Sequence, residues 1–197
     1  MTARMILASG SPRRRELLTD AGFSFEITPS DIDEVIESGA SPLWATVRLA
    51  IDKAEAVIPA VEPGSVVLSA DTTVVAGGRI YGKPVDADGA EEMLLELAGR
   101  NHVVYTGWSA AVAGAEPTLA ATGFSSSIVR LRDIGRSEAR EYAQGGEPLD
   151  KAGSYAVQGE GSRFVAAVIG PVDNVIGLPV EPVSRALEAL GVVRAGV

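Results

Sequence analysis

The sequence has no cysteine and only one histidine among its 197 residues. The first absence excludes a disulfide framework, a thiolate metal site and a cysteine nucleophile; the second excludes a multi-histidine metal centre. No apolar run reaches the roughly 18 residues needed to span a bilayer. The opening Met1-Thr2-Ala3-Arg4-Met5 lacks the extended apolar stretch and cleavage site of a secretory signal. A basic excess is missing too. Against 26 Asp and Glu stand 17 Lys and Arg, a net charge of −9, so nothing suggests the basic face of a general nucleic-acid binder. Neither a repeat, a charge block nor a Ser/Gly linker divides the chain, and the expectation is one domain over residues 1–197. At 46% hydrophobic and 22% charged the composition is that of a compact globular protein, expected to be soluble and cytoplasmic.

What is present reads as alternating strands and helices. Met5 to Ala8 is a short buried strand, after which Ser11-Pro12 opens a helix with serine as N-cap and proline at the first helical position. Leu17, Leu18 and Ala21 form its apolar face and Gly22 ends it. Ser41-Pro42 repeats the opening for a second helix, in which Val47, Ala50, Ile51, Ala54 and Ile58 keep a 3.6-residue period. Val66 to Leu68 and Thr73 to Val75 look like buried strand, and Gly77-Gly78 turns the chain into Arg79-Ile80-Tyr81. A third helix carries Ala90, Met93, Leu94 and Leu97, with Asp88 and Glu91 spaced as a cap pair. Two β-branched stretches, His102 to Val112 and Ala120 to Leu131, predict long strands joined near Pro117. A short helix over Glu138 to Ala143, a strand over Phe164 to Ile169 and an amphipathic helix through Val183, Ala186, Leu187 and Leu190 complete the chain. The pattern predicts a mixed α/β fold with a long central mixed sheet flanked by helices.

The sharpest local oddity is Arg13-Arg14-Arg15 in the first helical turn. Cations are unfavourable at the positive end of a helix dipole by about 0.3–1 kcal/mol each. Three together make sense if an anion binds between them and the free backbone amides, with Ser9 and Ser11 donating hydroxyls. The alternative is a solvated basic face paired with Glu16 or Asp20. Lys83, in Gly82-Lys83-Pro84, is a plausible phosphate ligand or a plain surface lysine. Gly77 and Gly82-Lys83 have Walker A spacing, but Pro84 stands where the magnesium-binding Ser or Thr belongs, so the P-loop reading fails. Lys53 lies roughly 120° from the centre of its helix's apolar face at 100° per residue, where it snorkels or leans into a cleft. Lys151 has the same ambiguity.

Asp71 follows an apolar strand and precedes Thr72-Thr73; a carboxylate there binds a divalent metal, acts as a base toward water, or merely caps a turn. Glu34 is a second carboxylate candidate, or part of a solvated acidic loop. His102 has no acid or nucleophile partner by spacing and reads as a strand-edge histidine with one hydrogen bond. Trp44 and Trp108 read as core or interface. Gly159-Glu160-Gly161 lacks the third glycine of a dinucleotide fingerprint. Cations for phosphates and carboxylates for a metal and a water together suggest phosphate-ester or anhydride chemistry.

Six ordered strings are more specific. They are Leu7-Ala8-Ser9-Gly10-Ser11-Pro12-Arg13-Arg14, Ala70-Asp71-Thr72-Thr73-Val74-Val75, Gly82-Lys83-Pro84, His102-Val103-Val104-Tyr105-Thr106-Gly107, Gly146-Glu147-Pro148-Leu149-Asp150-Lys151-Ala152-Gly153, and Asn174-Val175-Ile176-Gly177-Leu178-Pro179. In this order and spacing the chain, from about Ile6 to Leu190, resembles the Maf family of nucleoside triphosphate pyrophosphatases, once labelled septum formation inhibitors. The resemblance implies hydrolysis between the α- and β-phosphates of a nucleotide and a divalent cation, usually magnesium or manganese. It also implies two lobes around a cleft, as in inosine triphosphatases, and often a homodimer, with a small nucleotide rather than nucleic acid or membrane as partner. Asp71 matches the family's proton acceptor. Ser9, Arg13, Arg14, Lys53 and Lys83 match its triphosphate ligands, and Glu34 matches a carboxylate associated with the metal, which Asp71 is also expected to hold.

Three positions bear on the base. Arg13, Thr72 and Gln158 resemble the dTTP/UTP type, where the 7-methyl-GTP type carries tryptophan, glutamine and glutamate. An amide such as Gln158 both donates and accepts, as the O4 and N3–H of a pyrimidine require. Pro171 and Ala156 depart from the family pattern beside the expected base-binding segment. Two rival expectations remain: the same reaction on a methylated or inosine-like purine, and a nucleotide-sensing regulator of cell division that does not hydrolyse.

Overall fold

The computed structural model describes residues 3–34, 36, 39–114 and 118–195. Strands and helices follow in the order β1 (Met5–Leu7), α1 (Pro12–Asp20), β2 (Glu26–Ile27), α2 (Pro42–Val57), β3 (Val66–Ala76), β4 (Arg79–Tyr81), α3 (Ala87–Leu97), β5 (Asn101–Val112), β6 (Thr118–Leu131), α4 (Arg136–Gln144), β7 (Val165–Ile169), α5 (Val172–Ile176) and α6 (Val180–Ala189). The strands make one sheet in the order β2-β1-β3-β5-β6-β7, with β4 paired to β3 off this path. It is mixed, as expected. β1 is parallel to β2 and β3, whereas β4 is antiparallel to β3 and β7 to β6.

Two compact units share these strands: Met1–Asp71 with Thr106–Ser125 and Gly177–Val197, and Thr72–Tyr105 with Ser126–Ile176. In the first, Leu7, Leu18, Leu68, Leu178 and Leu187 are fully buried around β1 and β3. Each such side chain stabilises the fold by roughly 1.5–3 kcal/mol through apolar burial. Trp108 belongs to this core, its indole so close to Gly123 that a Cβ there would meet Cζ2 at 2.7 Å. In the second unit Leu94, Leu97, Val129, Leu131, Tyr142 and Phe164 make a separate core, and Glu91 on α3 is buried between Arg136 and Arg140 of α4, each at 2.8 Å.

Several sequence expectations shift. The two β3 fragments are one strand, because Thr72 and Thr73 are β-branched and continue the extended backbone; Asp71 therefore lies inside a strand rather than at its end. The cap of α3 is Asp86, whose carboxylate accepts from Gly89 N at 2.8 Å. Asp88 lies in the first turn, and Glu91 faces the arginines instead of completing a capping box. Trp44 is 67% exposed and not core. The connection near Pro117 lies outside the described residues. Serine at position 11 caps α1 as anticipated, with Pro12 at its first turn. The turn into β4 is made by Gly77 and Gly78, both at positive φ.

Candidate functional site

In the first unit the β1–α1 turn carries Ser9, and the first turn of α1 carries the arginines. Ser9 is buried, and its Oγ accepts from Ser11 N at 3.2 Å and from Arg14 Nη1 at 3.1 Å. Arg14 Nε donates to the carbonyl of Gly177 at 2.8 Å. Two corners of that guanidinium are thus spent on holding its orientation. Burial lowers the Arg14 pKa from its ordinary value and neighbouring Arg13 adds to the lowering, while the carboxylates of Asp71 and Glu34 act the other way. The three arginines divide. Arg13 and Arg14 are half-buried, and Arg15 is exposed.

Lys53 was expected at the border of the α2 apolar face. It is buried, at 6% exposure, and so is Asp71. Its Nζ donates to Asp71 Oδ1 at 2.6 Å and lies 2.7 Å from Glu34 Oε1. A lysine is almost never buried unless paired, and here two carboxylates hold the ammonium. The geometry therefore joins Ser9 with Arg14 and Lys53 with Glu34 and Asp71, and the charges of Asp71, Arg13 and Glu34 all act on Arg14.

Thr72, Lys83 and Gln158 belong to the second unit. Thr72 is half-buried on β3, and Lys83 is exposed just after β4. The carbonyl of Gly82 accepts from Gly153 N at 3.1 Å, which ties the Gly82-Lys83-Pro84 turn to the Lys151-Ala152-Gly153 segment. Gly153 is at φ +71°, a backbone conformation that favours glycine, and a Cβ there would press on Val74 Cγ1 at 3.0 Å. Lys151 Nζ donates to the Glu147 carbonyl at 2.6 Å and to Asp150 Oδ1 at 2.5 Å. Gln158 is exposed on extended backbone immediately before a 3₁₀ segment, Gly159–Phe164. His102 is buried with its Nε2 2.7 Å from Tyr155 Oη, the single side-chain bond expected of it.

A family profile described as "Maf-like protein" matches residues 4–190. The chain belongs to the Maf family. A protein of Anaeromyxobacter dehalogenans named dTTP/UTP pyrophosphatase is 43% identical over 97% of this chain and 96% of its own length. Proteins of the same name from Myxococcus xanthus and Hahella chejuensis are 45% and 46% identical. They cover 95% and 89% of this chain and 92% and 87% of their own.

Within this Maf chain the sequence reading passed over two groups that the geometry brings to the site. One is the Gly177 carbonyl, known only as part of a motif string. The other is Ser69, fully buried two residues before Asp71. Its signal was present in the sequence, since residues two apart on a strand share a face.

Proposed function

We propose that this protein is a nucleoside triphosphate pyrophosphatase that hydrolyses dTTP and UTP, and modified pyrimidine triphosphates, to the monophosphate and pyrophosphate. The observation that carries the reading is the buried Lys53 ammonium held by Asp71 and Glu34, in a chain whose Maf relatives are named for that reaction. A binding protein that only sensed nucleotide would not need a water-activating carboxylate, the role proposed for Asp71.

In the proposed reaction Asp71 accepts the proton of a water that attacks the α-phosphorus. A P–O bond forms there, the α–β bridging bond breaks and pyrophosphate leaves with the bridging oxygen. Ser9, Arg13, Arg14, Lys53 and Lys83 bind the triphosphate and offset the charge that builds at the transferring phosphorus. Arg13 and Arg14 present planar forks matched to phosphate oxygens, with Arg14 held for the task by Ser9 and Gly177. Thr72 and Gln158 read the pyrimidine edge.

Asp71 and Glu34 offer hard oxygen donors. Among the described residues no group of three or more His, Cys, Asp or Glu side chains gathers as a metal cage. Two carboxylates fit magnesium or manganese, and Asp71 and Glu34 would hold such an ion through their oxygens. When bound, such an ion supplies Lewis-acid polarisation of the phosphoryl oxygens.

The proposal includes residues 1–197 working as one domain, in the cytoplasm and as a homodimer, with a small nucleotide as partner and neither nucleic acid nor membrane. In support, no helix among the described residues is long and apolar enough to cross a membrane, and the net charge is −9. The experiment is pyrophosphate release from dTTP, UTP, CTP, GTP, ITP and 7-methyl-GTP with magnesium or manganese, repeated after chelation. Release from dTTP and UTP well above the rest, abolished by chelation and restored by the metal, is the expected result. A purine preference would keep the chemistry and overturn the base assignment. No release from any nucleotide would favour a nucleotide-binding regulator of cell division.

A further inference from the structure

Resting on the catalytic reading of Lys53 and Asp71, we infer that Ser69 is a positioning residue that holds helix α2 at the height on the sheet where Lys53 meets Asp71. Ser69 is fully buried, and its Oγ donates to the carbonyl of Ala50 at 2.5 Å. Ala50 is inside α2, where a carbonyl already accepts the N–H four residues on; the hydroxyl takes its second lone pair. From Ala50 to Lys53 is three residues, which keeps both on one helix face. From Ser69 to Asp71 is two, which keeps both on one strand face. The Ser69–Ala50 bond and the Asp71–Lys53 bond are therefore adjacent rungs between the same helix and the same strand.

A second observation shows how closely this helix sits. A Cβ at Gly107 on β5 would lie 2.8 Å from Val47 Cα and 2.9 Å from the carbonyl carbon and oxygen of Thr46. Backbone meets backbone at that point, so glycine is required for space, and the approach seats α2 one turn before Ala50. Gly107 sets how near the helix comes and Ser69 sets its register. Lys53 reaches Asp71 along a flexible stem, so its precision comes from the backbone beneath it. A buried serine that merely satisfied its own hydroxyl would affect stability; a positioning serine affects turnover.

The test compares the wild-type chain with Ser69→Ala, Ser69→Thr and Gly107→Ala, reading kcat and KM for dTTP and amide hydrogen exchange along α2. Ser69→Ala is close to isosteric and leaves the helix's own bonds intact, so it folds. The expected result is a kcat about tenfold lower with KM within twofold, below the roughly 10²-fold that a 1 Å misplacement can cost. Exchange should quicken several-fold in the α2 turn around Ala50. Ser69→Thr, which keeps the donor, should recover at least half of the lost turnover, and Gly107→Ala should lower kcat as Ser69→Ala does. Wild-type kcat in Ser69→Ala overturns the inference, as does a lowered kcat with unchanged α2 exchange. If the wild-type chain releases no pyrophosphate from any nucleotide, the functional reading fails by itself. The positioning claim is then decided by α2 exchange and by the Lys53–Asp71 separation in a crystal structure of Ser69→Ala: a separation beyond hydrogen-bond range supports it, and an unchanged contact overturns it.

Discussion

Lys53 Nζ and Asp71 Oδ1 stand 2.6 Å apart, each side chain less than a tenth exposed, with Glu34 Oε1 2.7 Å from the same Nζ. Removing one member of a buried pair leaves a charge uncompensated, at a cost of about 3–5 kcal/mol. Lys53→Met should accordingly lower the unfolding free energy by that order, read as a lower denaturant midpoint. Asp71→Asn should cost less, because Glu34 stays on the ammonium. Its turnover should nevertheless fall about 10²–10⁴-fold, the usual contribution of a general base, while dTTP still binds. Equilibrium unfolding and nucleotide titration read the two effects separately; an Asp71→Asn enzyme of wild-type kcat would remove Asp71 from its role.

Arg14 cannot be exchanged for lysine without loss. An ammonium cannot reproduce both the Nε bond to Gly177 and the Nη1 bond to Ser9. A hydrogen bond to a charged group contributes about 1.5–3 kcal/mol. Arg14→Lys should therefore raise KM for dTTP by roughly tenfold or more, whereas Arg15→Lys, on exposed surface, should leave it unchanged. Steady-state kinetics of the two variants decide the point.

Gln158 is proposed to read the pyrimidine edge by donating and accepting at once. Gln158→Glu keeps the shape and removes the donor. The ratio of kcat/KM for dTTP to that for 7-methyl-GTP should fall by about tenfold, the upper range of one net hydrogen bond. An unchanged ratio, measured by competition between the two nucleotides, would take base selection away from this residue.

The single histidine gives the second unit a defined pH response. Burial lowers the His102 pKa from 6.5 to about 4. Between those values the unfolded chain binds the proton and the folded chain does not, so stability rises with pH through that window. It is fully present above about pH 6.5 and lost as pH falls toward 4, by roughly 3 kcal/mol at most. His102→Gln should flatten this part of the curve of denaturant midpoint against pH. An equally steep curve in the variant would mean that other groups set the slope.

Much of the fold was legible because its signals are local. Ser11-Pro12 and Ser41-Pro42 start helices where expected, and Gly77-Gly78 turns β3 into β4. The two-residue β2, Glu26–Ile27, was not legible, since an exposed pair carries no periodicity. The cap of α3 was misplaced by two residues because Asp86 and Asp88 are equally good caps by residue type; only the extended backbone at Asp86 separates them. In the site, Arg14 was visible through its oddity, charge against a helix dipole, and Asp71 as a carboxylate expected at a strand end, which the structure places inside β3. Lys53 was visible only as ambiguous. Its position at the rim of a helix face suits a snorkelling lysine equally well, and what decides is a carboxylate eighteen residues on that pairing along β3 brings opposite it. Ser69 shares a strand face with Asp71 in the sequence, but its bond to the Ala50 carbonyl, like that of Arg14 to the Gly177 carbonyl, arises only through tertiary contact.

In the proposed reaction water attacks the α-phosphorus. The most direct measurement of this step is hydrolysis of dTTP in H₂¹⁸O with mass analysis of both products. One ¹⁸O atom is expected in the monophosphate and none in the pyrophosphate. Label in the pyrophosphate, or release of inorganic phosphate in its place, would contradict it.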